Sequence, residues 1–321
     1  MQNKYRPEGS YIRTPENREY ISSPEGLDRA AVQGRILEAT ALLCDSSMRL
    51  HVDLYGVRGI IEPSEAAYDP SGAAVKDIAI ITRVGKPVCF KVIGRDVDRE
   101  GEYYRLSRRD AQLECYRNYI ADLIPGDIID ARVTHLEAFG AFVDIGCGIA
   151  SLMTVDSISV SRISHPRDRL ETGMPIRCAV RSVDADSFRV VVSMRELLGT
   201  WEENAAMFSI GQTVAGIVRS IEDYGIFVEL TPNLAGLAEL RDDLGRNPTP
   251  GQSVAVYIKN IIPDRMKIKL VLVDVSGEEI TPRALKYFIG SKTLHISKWR
   301  YSPEQSGKIV ETVFESDGRN R

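Results

Sequence analysis

Two short segments carry residue types able to do recognisable chemistry: Phe139-Gly140-Ala141-Phe142 and Tyr224-Gly225-Ile226-Phe227. Residues three apart on a strand point to opposite faces unless the chain bends, and a glycine between them makes the bend cheap. Phe139 with Phe142, and Tyr224 with Phe227, can then share one exposed surface. Two rings on a barrel face form a stacking platform for planar groups such as nucleobases, at about 1–3 kcal/mol per stack. Aromatic residues in strands are also common core residues. The neighbours Val143, Ile145, Val228 and Leu230 already supply an apolar alternation, so platform and core both fit.

Little else in the chain points to chemistry. His135, His165 and His295 have no serine or carboxylate at nucleophile-motif spacing, and neither a phosphate-binding glycine loop nor a paired-acid motif stands out. A non-enzymatic protein without a cofactor is expected. The five cysteines, Cys44, Cys89, Cys115, Cys147 and Cys178, are scattered, so neither a disulfide framework nor a zinc site is expected. Arg162, Arg167 and Arg169 cluster in one loop, which reads as a solvated loop or, beside an aromatic platform, as a phosphate-tracking one. Asp184 with Asp186 reads as a turn. The tail His295-Ile296-Ser297-Lys298-Trp299-Arg300-Tyr301 interleaves aromatic and basic residues. It is either a contact segment or an edge strand that buries Trp299.

The elements that must position these residues emerge from an internal repeat. With Gly126 aligned to Gly211, Val133 meets Val218, the two aromatic-glycine segments coincide, and Leu152 meets Leu237. Upstream, Tyr116 meets Trp201; downstream, Gly173 meets Gly251 and Arg189-Val190-Val191-Val192 meets Lys267-Ile268-Lys269-Leu270. A weaker copy lies ahead of both. There Val52-Asp53-Leu54 matches Val143-Asp144-Ile145, Gly59 stands where Ser151 does, and His51 takes the place of Phe142. The units run over 30–108, 124–195 and 209–273.

Within a unit, Ile128–Leu136, Ala141–Ile145, Ile176–Val183 and Phe188–Met194 read as strands punctuated by glycines. Five short strands in about 70 residues predict a small closed barrel. The stretches 109–123 and 196–208 read as linker helices, 1–29 as an N-terminal extension and 274–321 as a small α/β C-terminal extension. In the latter, Thr281-Pro282 predicts a helix through Ile289, with strands at Leu294–Tyr301 and Lys308–Phe314. The fold class is thus all-β: three tandem five-stranded barrels with linking helices.

Composition sets outer bounds. The chain has 321 residues, 43% hydrophobic and 27% charged, the balance of a folded multidomain protein. No apolar run approaches a membrane span, and Met1 to Asn17 is polar without a signal-like apolar core. A reducing cytoplasm, with no membrane partner and no small-molecule substrate, is the expectation. The net charge of -4 argues against coating duplex nucleic acid by bulk positive charge and leaves local sites open.

Units two and three resemble the S-one RNA-binding domain, an oligonucleotide-binding-fold (OB-fold) module. The resemblance in unit two runs through Gly126, Phe139-Gly140-Ala141-Phe142-Val143-Asp144-Ile145-Gly146, His165-Pro166, Gly173, Val183-Asp184 and Arg189. In unit three it runs through Gly211, Tyr224-Gly225-Ile226-Phe227-Val228, Gly236-Leu237, Gly251 and Lys267. Tandem copies with Trp201 in a linker resemble the bacterial ribosomal protein S-one family. The resemblance implies an RNA face of two aromatics, a histidine, an aspartate and an arginine. In unit two these positions are Phe139, Phe142, Thr154 in place of the histidine, Asp184 and Arg189, with Arg162 and His165 matching a basic loop. In unit three they are Tyr224, Phe227, Glu239, Ile262 and Lys267.

Unit one lacks the ring pair and is expected to dock protein. The implied role is single-stranded mRNA binding at the small ribosomal subunit. The alternatives are a ribosome-independent RNA regulator, a targeting subunit of an RNA-decay enzyme, or a protein-interaction scaffold.

Overall fold

Each repeat closes into a five-stranded barrel in the computed structural model, which describes residues 4–70, 72–184, 189–239, 248–279 and 285–314. Helices α1 (Pro15–Ile21) and α2 (Pro24–Gln33) lead into the first barrel, β1 (Leu37–Cys44), β2 (Leu50–Leu54), β3 (Val57–Ile61), β4 (Pro87–Asp98) and β5 (Gly101–Ser107). Helix α3 (Asp77–Ile81) sits between β3 and β4, and α4 (Arg108–Asn118) links onward. The second barrel is β6 (Ile128–Glu137), β7 (Gly140–Asp144), β8 (Ala150–Thr154), β9 (Pro175–Asp184) and β10 (Arg189–Ser193), with α5 (Val155–Ile158) after β8. After α6 (Trp201–Ala205), the third is β11 (Thr213–Glu222), β12 (Gly225–Thr231), β13 (Leu234–Glu239), β14 (Gln252–Ile262) and β15 (Lys267–Glu279).

The circuit is the same three times. An antiparallel meander of three strands is followed by a fourth that pairs with the first, and the fifth runs parallel to the third. Inward residues of unit two, among them Val133, Ala141, Val143, Met153, Val190 and Val192, are fully buried, as period-two alternation on a closed sheet requires.

Polar clasps join the units. The N-terminal segment is no loose extension: Tyr5 lies in the core of unit two, and Glu8 is buried between units one and two. Its carboxylate takes a forked pair from Arg108 (Nε–Oε1 2.7 Å, Nη2–Oε2 3.1 Å) and the Cys89 N–H, and its own N–H donates to Asp144. Glu38 accepts the N–H groups of Gly9, Tyr11 and Ile12 on one oxygen. Between units two and three, the buried Asn233 amide donates to the carbonyls of Arg195 and Gly199 and accepts from Val160. A buried amide satisfied on both ends specifies one docking geometry.

Several expectations change here. In the 196–208 linker, a 3-10 turn (Arg195–Leu198) and α6 are separated by Gly199 at φ 88. Residues 285–289 contain no helical turn, and Thr281 and Pro282 lie outside the described residues. The two tail strands shrink to β16 (Lys298–Arg300) and β17 (Glu311–Val313), paired with each other. Trp299 and Tyr301 pack into the core of unit three, so this tail is a packed strand. All five cysteines are free. Cys89 and Cys147 come together across the junction of units one and two, where the Cys89 thiol donates to the Cys147 carbonyl at 3.3 Å.

The clasps carry a pH dependence. Burial first, then the nearby Glu8 charge, raises Glu38 to about 8 and Asp144 to about 7. A carboxyl raised in the folded state keeps its proton where the unfolded chain has lost it, so stability falls as pH rises from about 4.3 towards those values. The thermal midpoint is expected to be higher at pH 5.5 than at pH 8.5, and Glu38→Gln to flatten the difference. A midpoint rising with pH over this window would contradict the assignment.

Candidate nucleic-acid interface

The exposed faces are read from strand register, because directly paired residues share a face. In unit two, His135 on β6 pairs with Phe142 on β7, Phe142 with Leu152 on β8, and Leu152 with Val191 on β10. In unit three the row is Ser220, Phe227, Leu237 and Lys269. In unit one the corresponding row is Leu43, His51, Ile60 and Arg105, of which Ile60 is buried. The match of His51 to Phe142 and of Gly59 to Ser151 thus holds in three dimensions.

The rings stand outside the barrels. Phe139 is 56% exposed at the β6–β7 turn and meets the half-buried Phe142 at 6.0 Å between centroids and 89° between planes. Tyr224, 68% exposed, meets Phe227 at 6.2 Å and 89°. Edge-to-face contacts contribute about 0.5–1.5 kcal/mol and hold each loop ring in place before any ligand arrives. The core alternative for Phe139 and Tyr224 is excluded by their exposure.

Glycine makes the geometry possible. A Cβ on Gly140 would lie 2.3 Å from the Met153 carbonyl oxygen, and one on Gly225, at φ 149, 2.6 Å from that of Ala238. Strands β7 and β8, or β12 and β13, could not approach with a side chain there.

The remaining expected residues fall into three groups. Thr154 pairs across the sheet with Gly140, beside the rings, its hydroxyl 2.9 Å from that of Ser157. Asp184 and Arg189 pair at the open end of β9–β10, as Ile262 and Lys267 do on β14–β15. Arg189 lies two residues before Val191, on the platform side of β10. In unit three, Glu239 is ion-paired to Lys259 at 3.3 Å, which offsets its charge. Arg162 is exposed and His165 caps the 3-10 turn Pro166–Asp168, accepting from the Arg167 N–H at 3.1 Å. No hydrogen bond, ion pair or ring contact joins Arg162 or His165 to the ring pair among the described residues. Arg169 is a correction. It is buried against Glu229 of unit three, which also holds Arg219 at 2.7 Å, so it docks the units and is not available to phosphate.

Two residues were not assigned to the platform from sequence. His135 stacks on Phe142 (6.4 Å, 27°) and bonds Glu137 at 2.6 Å, adding a third ring. Lys269 joins the unit-three row. For His135 the signal is the β6–β7 hairpin register, displaced by a bulge between Val133 and His135 that alternation alone does not reveal; for Lys269 it is the parallel pairing of β13 with β15.

Unit one has the fold without the platform. Arg49 and His51 both bond Asp45, at 2.8 and 3.1 Å. Tyr103, in the place of Arg189, is buried beneath the Arg58 guanidinium, itself forked onto Asp98.

Barrels of this circuit carrying an exposed aromatic pair define an oligonucleotide-binding-fold class. Within it, the S1 RNA binding domain family matches residues 122–195. A small ribosomal subunit protein bS1 of Staphylococcus epidermidis is 30% identical over 275 residues, covering 82% of this chain and 67% of that one. A bS1 homolog of Bacillus cereus is 32% identical over 243 residues, 71% of this chain. The chain belongs to the bS1 family of small ribosomal subunit proteins. The match spans 60% and 61% of the length of the Bacillus cereus and Bacillus subtilis relatives. Among solved structures, a multidomain protein with nucleic acid binding domains from Streptococcus pneumoniae is 16% identical over 76% of this chain and 74% of that one, with a TM-score of 0.24.

Gly140→Ala is expected to force β7 from β8 and to destabilise the protein by about 1–3 kcal/mol. Gly307, with open space around it, is the control. Thermal melts of both alanine variants check this; equal midpoints would contradict the packing argument.

Proposed function

We propose that the chain binds unstructured single-stranded RNA, mRNA above all, and does so in the cytoplasm at the small ribosomal subunit as a non-enzymatic translation protein. The observation that carries this reading is the ring pair built twice, at the same 89° and on exposed faces. Bases stack on Phe139, Phe142 and His135 in unit two and on Tyr224 and Phe227 in unit three. Arg189 in unit two, and Lys267 with Lys269 in unit three, meet the backbone. Stacking is indifferent to sequence because every base has a π-face. A duplex hides those faces, so the strand must be single. A pure scaffold has no need for aromatic rings held in solvent. Unit one contributes no stacking, and membership of the bS1 family supports a ribosomal partner for its surface.

Affinity for single-stranded RNA is expected to exceed that for a duplex of equal length and to fall with salt as counterions are displaced. Fluorescence titration at two salt concentrations reads both; equal affinity for duplex would overturn the stacking mechanism.

The units are also ranked. Phe139→Ala with Phe142→Ala is expected to weaken binding more than Tyr224→Ala with Phe227→Ala, since unit two alone adds His135 and keeps Asp184 with Arg189. Each lost stack costs about 1–3 kcal/mol, provided circular dichroism is unchanged. Dominance of the unit-three pair would reverse the ranking.

A further inference from the structure

A cleft of about 530 Å³ opens where the N-terminal segment, unit one and unit two meet. Its lining includes four cations from three stretches of chain: Arg13, Arg83 and Lys86, and Arg132 on β6. Two carboxylates, Glu8 and Asp144, also line it, and both are spent. Glu8 is forked to Arg108. Asp144 accepts N–H groups from Glu8, Gly146 and Gly148.

The cations are not matched in return. Arg13 and Lys86 are exposed, and no carboxylate among the described residues lies within ion-pair distance of either, or of Arg132. Arg132 donates one Nη to the Gly173 carbonyl, while its Nε is buried without a partner. Arg83 reaches Glu8 only at 3.7 Å and faces the like charge of Arg108. Cations gathered against their mutual repulsion in a partly enclosed site call for an anion.

The place of the cleft says which anion. Thr134 also lines it, and its hydroxyl donates to the Phe142 carbonyl at 3.1 Å. The next residue, His135, stacks on Phe142. The cleft therefore abuts the ring platform along β6. We propose that it is a phosphodiester track, in which Arg13, Arg83, Lys86 and Arg132 take the backbone of a strand whose bases stack on Phe139 and Phe142. The inference rests on the RNA-binding reading above and extends it: unit one, which has no rings, contributes charge at its border with unit two.

The test uses the full chain carrying Arg83→Gln with Lys86→Gln, and separately Arg13→Gln with Arg132→Gln in case the first pair perturbs the fold. Binding of a tetranucleotide and a dodecanucleotide of uridine is measured across salt concentrations. Each pair is expected to weaken the dodecamer about 5- to 20-fold at low salt and to lower the salt slope by about 1.4, at about 0.7 per single-strand phosphate contact. The tetramer, held by the rings, is expected to bind unchanged. Lys76→Gln with Lys308→Gln removes the same charge elsewhere and is expected to leave the slope intact. An unaltered slope in both cleft variants, or an equal loss in the control, overturns the proposal. So does pyrophosphate that binds only the unmutated cleft while the dodecamer is unaffected, which would mark a small-anion site. The Phe139→Ala with Phe142→Ala variant separates the two readings: if it leaves both oligonucleotides bound as before, the platform fails, whatever the cleft variants show.

Discussion

The absence of a side chain at residue 140, repeated at 225, is the constraint on which the binding face depends. Any Cβ there would enter the carbonyl of the neighbouring strand. With glycine, the hairpin closes in two residues, and the aromatic before it turns back edge-on to the aromatic two residues after it. In unit one the constraint is lifted. By register its residue at this place is Arg49, and the turn is longer, with Met48 at φ 62. His51, in the place of Phe142, and Arg49, in the place of the glycine, both bind Asp45 instead. The barrel survives because its core lies on the other face of the same strands.

A second layer of organisation lies between the barrels. Hydrogen-bonded and charged groups are buried at both junctions: Glu8 with Arg108 at one, Asn233 and Arg169 with Glu229 at the other. Breaking such a group leaves a partner unsatisfied, at about 1–3 kcal/mol or more, so the junctions resist sliding. This also reconciles an acidic chain with an anionic ligand. The Glu8, Glu38, Asp144 and Glu229 carboxylates are held in clasps, while Arg13, Arg83, Lys86 and Arg132 gather in one cleft.

The strand plan was legible because it is local. Alternation and glycine punctuation place β6, β7, β9 and β10 within a residue or two of their ends, with β8 implied only by the count of five, and the repeat register carries them to unit three. The equivalence of His51 with Phe142 and of Ile262 with Asp184 could be read the same way. What escaped depends on contacts between distant segments. Nothing in Tyr5 or Glu8 announces that they are buried in unit two and its junction. Arg169 has the look of a loop cation until Glu229 is brought against it. His135 required the bulge in β6, and whether the rings face solvent or core could not be decided from periodicity that suits both. Cys89 and Cys147 are far apart in sequence and meet where the Glu8 segment and α4 join two barrels.

The central claim, that single-stranded RNA lies on the ring pairs, is tested most directly by ultraviolet cross-linking of an unstructured oligonucleotide to the native chain, with peptide mapping of the products. Cross-links are expected on peptides holding Phe139 with Phe142 and Tyr224 with Phe227, the former more abundant. Cross-links confined to the His51 face of unit one, or to the Trp299 segment, would contradict the claim.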